Sequence, residues 1–334
     1  MTWQKCLGTV NTDLDPSFCK ASDGGYMVIA TVNTEGLTLP GIKGGKDIIL
    51  IKTDAKGNEE WSKFLGGSEN ELAVHIIHDG LDNYYITGWV TSTDGDISSY
   101  NHGGTDYWLV KIDGSGNILW EKCMGGSEED YSGRLTLLSD GNIISYSATF
   151  SSDGDVGINY GYLDVWVFIF SPEGEVLNSR VFGNWGHNNV FDLVETRDGG
   201  FFMASKAYAG GMVSAQNHHG GMDVWALKLD RELNIVWQKV YGGSYYDYGL
   251  YGLKEMDNGY VFLAGTNSND GDVSGLIGNP GSNDVQNIWM VRIDSVGELL
   301  WQKCFGNWFY SSANNVFPTK DGGYMVFGTS EYFF

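Results

Sequence analysis

Residues 106–123 read DYWLVKIDGSGNILWEKC, and residues 287–304 read NIWMVRIDSVGELLWQKC. In both, an alternating run leads through a turn into a second apolar run that ends on Trp-x-Lys. Alternation with period two places side chains on opposite faces of a strand, so each stretch reads as two antiparallel strands joined by a tight turn. The Trp-x-Lys signal recurs along the whole chain: WQKCLG at 3, WSKFLGG at 61, WEKCMGG at 120, WQKVYGG at 237 and WQKCFGN at 301, with a degraded copy, NSRVFGN, at 178. The spacings are 58, 59, 58, 59 and 64 residues. A near-constant period of this length means an array built from one supersecondary unit.

Each unit holds four strand-like runs. In the second they are LAVHIIHDG, NYYITGWV, DYWLVKID and NILWEKCMGG, called A to D here. The A–B turns are short and rich in Asp, Asn and Gly (SDGGY at 22, SDGN at 139, KDGGY at 320), residues that accept the positive φ of tight hairpins. No segment sustains a 3.6-residue period, so helix is not expected. Four-stranded units of this length suit propeller blades. The predicted fold is all-β: a single domain over 1–334, a six-bladed β-propeller of four-stranded antiparallel blades at about 13–66, 69–125, 130–183, 188–242, 247–306 and 311–334. Residues 1–8 are expected to complete the last blade, so that the N-terminal strand joins the C-terminal one, closes the ring and removes exposed sheet edges.

KIDGSGNILW, KTDAKGNEEW and RIDSVGELLW resemble the quinoprotein-type propeller repeat, and the whole unit is similar to repeats of bacterial surface and secreted proteins, mostly of unassigned function. In that family the Trp docks between neighbouring blades. The resemblance implies this role for Trp3, Trp61, Trp120, Trp237 and Trp301, with Asn178 marking a seam that lacks its Trp. It lies in blade-building residues, so it implies no quinone cofactor. It also implies an extracellular or cell-surface location; the opening MTWQKCLG is repeat text rather than a signal peptide. The basic residue two positions on (Lys5, Lys63, Lys122, Arg180, Lys239, Lys303) is expected to pair with strand C acids such as Asp106 or Asp223.

The formal net charge of −22 argues against nucleic acid and against an anionic membrane surface. It suits a cation, a neutral polar ligand such as a sugar, or a basic partner. No apolar run approaches the roughly 20 residues a spanning helix needs. Cys6, Cys123 and Cys304 share one repeat position, where other copies have Phe64, Val181 and Val240. They read as small buried hydrophobes, and the absence of CxxC argues against a zinc site.

In a meandering blade the B–C and D–A loops share one face, and here those are the long, varied ones. Function is expected there. Three D–A loops mix aromatic and polar residues: Trp185 with His187 and Asn188; Tyr245, Tyr246 and Tyr248 with Asp247; and Trp308, Phe309 and Tyr310. Rings beside amides and carboxylates suit a sugar, which stacks its C–H face and bonds through its hydroxyls; the competing reading folds some rings inward as padding of the channel mouth. Strand A is expected to line the channel with Ser17, Ala73, Arg134, Asp192, Tyr251 and Asn315, where Arg134 and Asp192 would pair. Asp192 with Glu71 or Asp247 is the carboxylate couple a glycosidase would need. The B–C loops carry three Asp-Gly-Asp motifs, Asp94 and Asp96, Asp153 and Asp155, and Asp270 and Asp272, which read either as calcium ligands or as self-bonded turns. His102, His218 and His219 have no metal-ligand spacing and read as turn residues. The function expected is a monomeric, non-catalytic module for a carbohydrate or protein ligand, with calcium the one candidate cofactor. The alternatives are a glycan hydrolase or lyase at the channel mouth and a protein-interaction scaffold.

Overall fold

The structure is a computed structural model that describes residues 4–99, 101–208, 212, 218–249 and 252–331. Among these there is no helix. The strands are β1 (Asp13–Lys20), β2 (Tyr26–Asn33), β3 (Lys46–Thr53) and β4 (Glu59–Leu65); β5 (Glu71–His78), β6 (Asn83–Val90), β7 (Asp106–Asp113) and β8 (Ile118–Met124); β9 (Asp130–Leu137), β10 (Ile143–Thr149), β11 (Asp164–Phe170) and β12 (Val176–Phe182). They continue with β13 (Asn189–Glu195), β14 (Phe201–Ala207), β15 (Asp223–Leu229) and β16 (Ile235–Tyr241); β17 (Asp247–Gly249), β18 (Lys254–Met256), β19 (Gly259–Thr266), β20 (Asn287–Ile293) and β21 (Leu299–Phe305); and β22 (Ser311–Pro318) with β23 (Tyr324–Ser330). Each group is one antiparallel sheet in which chain neighbours pair. In the fifth, the A strand is broken, so β17 and β18 both pair with β19.

The chain forms two compact units, residues 1–159 with 166–181, and residues 160–165 with 182–334. The expected four-stranded blades are present five times. The sixth group shows two strands among the described residues. Residues 4–12 form no strand, and Trp3 and 332–334, on which the closing strands were placed, lie outside the described residues.

Packing explains the repeat. Trp61, at the end of the first sheet, lies against Gly116 in the C–D turn of the second, where any added Cβ would overlap the indole. Trp120 covers Gly174 in the same way and donates its indole N–H to Pro172 O at 3.1 Å; Trp237 covers Gly297 and donates to Ser295 O at 3.0 Å. The glycine that ends each of these three turns is therefore fixed twice, by its positive φ of 74–86° and by the ring above it. Trp301 is 39% exposed. It meets Tyr324 edge-on at 5.7 Å and lines a groove of about 690 Å³ with Met290, Phe305 and Val326. A second tryptophan set, in strand C, was not singled out in the sequence. Trp108, Trp166, Trp225 and Trp289 are fully buried. Each donates its indole N–H to the side chain just after the seam position on strand D: Glu121 at 2.9 Å, Ser179 at 2.7 Å, Gln238 at 2.8 Å and Gln302 at 2.8 Å. A buried indole needs such an acceptor, which accounts for the polar residue of Trp-x-Lys.

The lysine of that signal does not reach the strand C acids. Lys63 donates to Asn117 at 3.1 Å and Lys239 to Glu298 at 2.6 Å, the residue that closes the next C–D turn. Asp106 and Asp223 are sealed in the sheet with other partners, so the expected pairing is corrected. Cys123 and Cys304 are buried and free, as expected, while Cys6 is exposed. Because Trp237 is roofed by the next blade and Trp301 is not, Trp237→Ala is expected to cost about 3 kcal/mol and Trp301→Ala about 1 kcal/mol or less; midpoints of urea unfolding will separate them.

Candidate functional site

The loops of the B–C and D–A face are held by backbone N–H groups donating to carboxylates. Asp94 accepts from Ser68 N at 2.7 Å and Asp96 from Gly66 N at 3.0 Å. Asp153 accepts from Ser127 N at 2.7 Å and Asp155 from Gly125 N at 3.3 Å. Asp270 accepts from Ser244 N at 2.7 Å and Asp272 from Gly242 N at 3.2 Å. Each Asp-Gly-Asp motif thus clasps the Gly-Gly-Ser loop that enters its own blade, and its glycine sits at φ 59–69° against the carbonyl of that loop. Hydrogen bonds from Ser127 and Ser244 hold the carboxyls of Asp153 and Asp270 below the usual range. Among the described residues, no three Asp, Glu, His or Cys side chains converge as a metal-ligand set. His102 lies 3.4 Å from Asp155, and His218 3.6 Å from Asp223.

The aromatic loops all lie in the second unit. Trp185 is 74% exposed and Trp308 63% exposed, at the same repeat position. His187 stacks on Tyr162 with centroids 5.6 Å apart and an interplanar angle of 10°; Tyr162, from the B–C loop, is a ring that the sequence reading did not include. Tyr245 and Tyr246 are exposed on one edge, Tyr245 backed by Gly281 and Tyr246 by Gly221. Tyr310 is exposed, and Phe309 half-buried. Tyr248 is half-buried and hydrogen-bonded to Tyr310, and its phenol is pushed up, by burial first. The corresponding loops of the first unit read Ser68, Glu69 and Asn70, and Ser127, Glu128 and Glu129, without a ring.

Two residues placed in this group face inward. Asn188 is buried; it accepts from Asn184 N and donates to Lys206 O. Asp247 is buried and accepts from Gly243 N at 2.7 Å and Ser268 Oγ at 2.8 Å. They hold the aromatic loops from beneath.

The strand A register also shifts. His75, not Ala73, stands level with Ser17, Asp192 and Asn315, because Asp79 directly follows its A strand whereas Asp23, Asp198 and Asp321 stand three residues beyond theirs; Ala73 is buried, and Tyr251 lies outside the described residues. These side chains tie one A strand to the next. Ser17 Oγ accepts from Ile76 N, His75 Nδ1 from Leu135 N at 3.2 Å, and Asp192 from Gly252 N and Leu253 N. Arg134 is exposed on β9. Burial, and then its charge, push the His75 imidazole down to about 4.

No protein-family model matches the chain. Over 193 residues, 52% of its length, it is 28% identical to regulatory protein FlaEY of Caulobacter vibrioides, and it spans 20% of that protein. Among solved structures it is similar to the NanB sialidase of Streptococcus pneumoniae, with a TM-score of 0.51 and 9% identity over 98% of this chain and 67% of that one. It is also similar to a mutant Synechocystis apocarotenoid oxygenase, with a TM-score of 0.50 and 11% identity over 96% and 66%. At such identities the likeness shows a propeller-like fold and nothing of the chemistry.

If the Asp-Gly-Asp clasps hold the loops, Asp270→Ala with Asp272→Ala will speed hydrogen exchange at the Gly242 and Ser244 amides at least tenfold. The Gly66 and Ser68 amides, clasped by Asp94 and Asp96, will keep their rates.

Proposed function

We propose that the protein is a non-catalytic carbohydrate-binding module of an exported or cell-surface protein, and that the ligand lies on the B–C/D–A loop face of the second unit. The observation that carries this reading is the run of exposed rings: Trp185, His187, Tyr245, Tyr246, Trp308 and Tyr310 stand at D–A loop positions where the first unit has serine, acids and amide, and Tyr162, stacked on His187, stands where it has glycine. Exposed indoles and phenols cost solubility. A pyranose face is the partner that uses them flat, while neighbouring His and Tyr polar atoms reach its hydroxyls. A sialidase and an apocarotenoid oxygenase resemble the fold to the same degree, so the fold does not choose the ligand. The rings do.

The binding role is favoured over hydrolysis by the fate of the acids. Asp247 is buried with one carboxyl oxygen bound to Gly243 and Ser268, and Asp192 is engaged by Gly252 and Leu253. A hydrolase needs two carboxyls open to substrate across a gap of about 5–10 Å. The six-blade count, the quinoprotein-like repeat class and completion of the last blade by residues 1–8 are part of the same proposal and rest on the repeat text.

A glycan array probed with the wild type and with Trp185→Ala and Trp308→Ala tests the proposal. Binding that falls at least tenfold in either variant, with unchanged melting temperature, supports it, since a stacked ring is worth about 1.5 kcal/mol or more. Glycan binding that neither variant weakens would sink it, as would sugar release from a polysaccharide.

A further inference from the structure

At or beside the start of each strand C stands a buried polar residue: Asp47, Asp106, Asp164, Asp223 and, in the fifth sheet, Asn287. A second one, Glu71, Asp130, Asn188, Asp247 or Ser311, stands buried at the head of the A strand that follows. In four of the five junctions one glycine touches both: a Cβ on Gly66, Gly125, Gly242 or Gly306 would meet the two side chains together, while one on Gly183 would meet Asp164.

In each strand C aspartate one oxygen is accounted for. Oδ2 accepts from the backbone N–H four residues earlier: Lys43 at 2.8 Å, His102 at 2.5 Å, Tyr160 at 2.5 Å and His219 at 2.7 Å. The other oxygen, Oδ1, is buried without a hydrogen-bond partner in Asp47, Asp106, Asp164 and Asp223 alike. Asn287 shows what that position accepts. Its Oδ1 takes the backbone N–H of Ile277 at 2.8 Å, as the aspartate Oδ2 atoms take theirs. Its Nδ2 occupies the place of their orphaned Oδ1, facing Gly306 as those face Gly66, Gly125, Gly183 and Gly242. That Nδ2 donates to the carbonyl oxygens of Asn307 at 3.1 Å and Ile277 at 3.2 Å. The position is therefore shaped for a donor. An ionised carboxylate has none, whereas a carboxylic acid has one.

We propose that in mildly acidic solution Asp106, Asp164 and Asp223 are held in the folded protein as neutral carboxylic acids whose Oδ1–H donates to backbone carbonyls, which makes each of these blade junctions a buried proton-binding site. Asp47 shares the geometry beside Lys43.

The groups that face them set the strength of each site. Asp106 faces His102, the Cys123 thiol and Asp130, which in turn faces Asp153, Thr149 and Ser151. Asp164 faces the amides of Tyr160, Gly161 and Asn184 and, among the described residues, no charged side chain that shifts it. Asp223 faces His218, His219 and Asp247, beyond which lie Asp270 and Cys304. The two histidines favour ionisation of Asp223, so Asp164 is the cleanest case. Burial, helped at Asp106 and Asp223 by the neighbouring acid, pushes all three carboxyls up to about 6.

A carboxyl raised in the folded state favours folding while protonated. Its contribution is complete below the ordinary aspartate range, falls as pH rises from about 4 to about 6, and is absent above. A rise of this size changes the folding equilibrium on the order of 100-fold per residue. The effect reaches the ligand face, because Asp223 anchors the loop at His219 and Asp247 anchors Gly243, just ahead of Tyr245 and Tyr246.

The test compares the wild type with Asp106→Asn and Asp164→Asn, which copy Asn287. Melting temperature is followed from pH 4.5 to 7.5 in chelator and with added calcium, and the infrared carboxylic-acid carbonyl band is recorded at pH 5. The wild type is expected to melt higher at pH 5 than at pH 7.5. Each variant should fold, flatten that slope and remove part of the band. Variants less stable than wild type at both pH values with the slope intact would overturn the proposal. So would calcium stabilisation of the wild type at pH 7.5 that the variants lose, which would assign the acids to a cation. If a variant does not fold, the wild-type band decides: its absence at pH 5 refutes the neutral acid.

Discussion

On three of the D strands the indole needs a neighbour without a side chain. Trp61, Trp120 and Trp237 lie on Gly116, Gly174 and Gly297, so a blade is finished only by the turn of the next one. This single contact joins three sequence features that otherwise look independent: the Trp, the D-x-x-G turn and the constant period. The copy that lacks its Trp, at Asn178, is followed by the turn that carries Leu233 in place of glycine, buried at φ 63°. A left-handed leucine costs about 1 kcal/mol or more. The strand C tryptophans work differently. They fill the sheets themselves, and their N–H groups fix which residue can follow the seam Trp.

The two ends of a blade are specialised by the same chemistry used at different depths. On the A–B/C–D face, aspartates cap short turns at the surface; Asp113, for instance, accepts from Ser115 N and Asn117 N. Their carboxyls stay ionised at low cost because water reaches them. On the opposite face the Asp-Gly-Asp clasps are equally wet, but the acids beneath them are dry. A carboxyl that must stay in that layer gives up its charge rather than its solvation. The neutral occupants Asn188, Asn287 and Ser311 show that the layer tolerates polarity and has no requirement for charge.

Much of this was legible in the text. Period-two alternation and Asp/Gly turns located every strand group, and the recurring Trp located the seams. The aromatic loops stood out because rings are rare where their sister loops have serine and glutamate. What escaped had physical causes. His75 holds the position that counting back from the turn aspartate assigns to Ala73, because Asp79 directly follows its strand whereas Asp23, Asp198 and Asp321 stand three residues beyond theirs. The partners of Lys63 and Lys239 lie in the next repeat, 54 and 59 residues away, so nearby acids looked like better candidates. The Asp-Gly-Asp oxygens also reach back about 30 residues to another loop, a contact that a motif read locally does not show. Tyr162 was passed over because its stacking partner, His187, belongs to the following repeat.

These differences bear on how a repeat protein acquires a binding face. The seam contacts involve the D strand and the C–D turn, and the clasps involve the first glycines and the serine of the D–A loop. Neither uses the two residues that follow, which are Glu69 and Asn70 in one copy, Glu128 and Glu129 in another, and Tyr245 and Tyr246 in a third. Those positions are free to vary because the loop is already fixed on both sides, by the clasp before and by the buried acid after. At 183–188 and 306–311 the clasped serine has itself become Trp185 or Trp308. There the loop is held instead by amides: Asn184 bonds to Asn188, and Asn287 to Asn307. Exchanging the charged clasp for an uncharged one releases the serine position for an indole. It also places the two most exposed indoles of the described residues in loops held through amides.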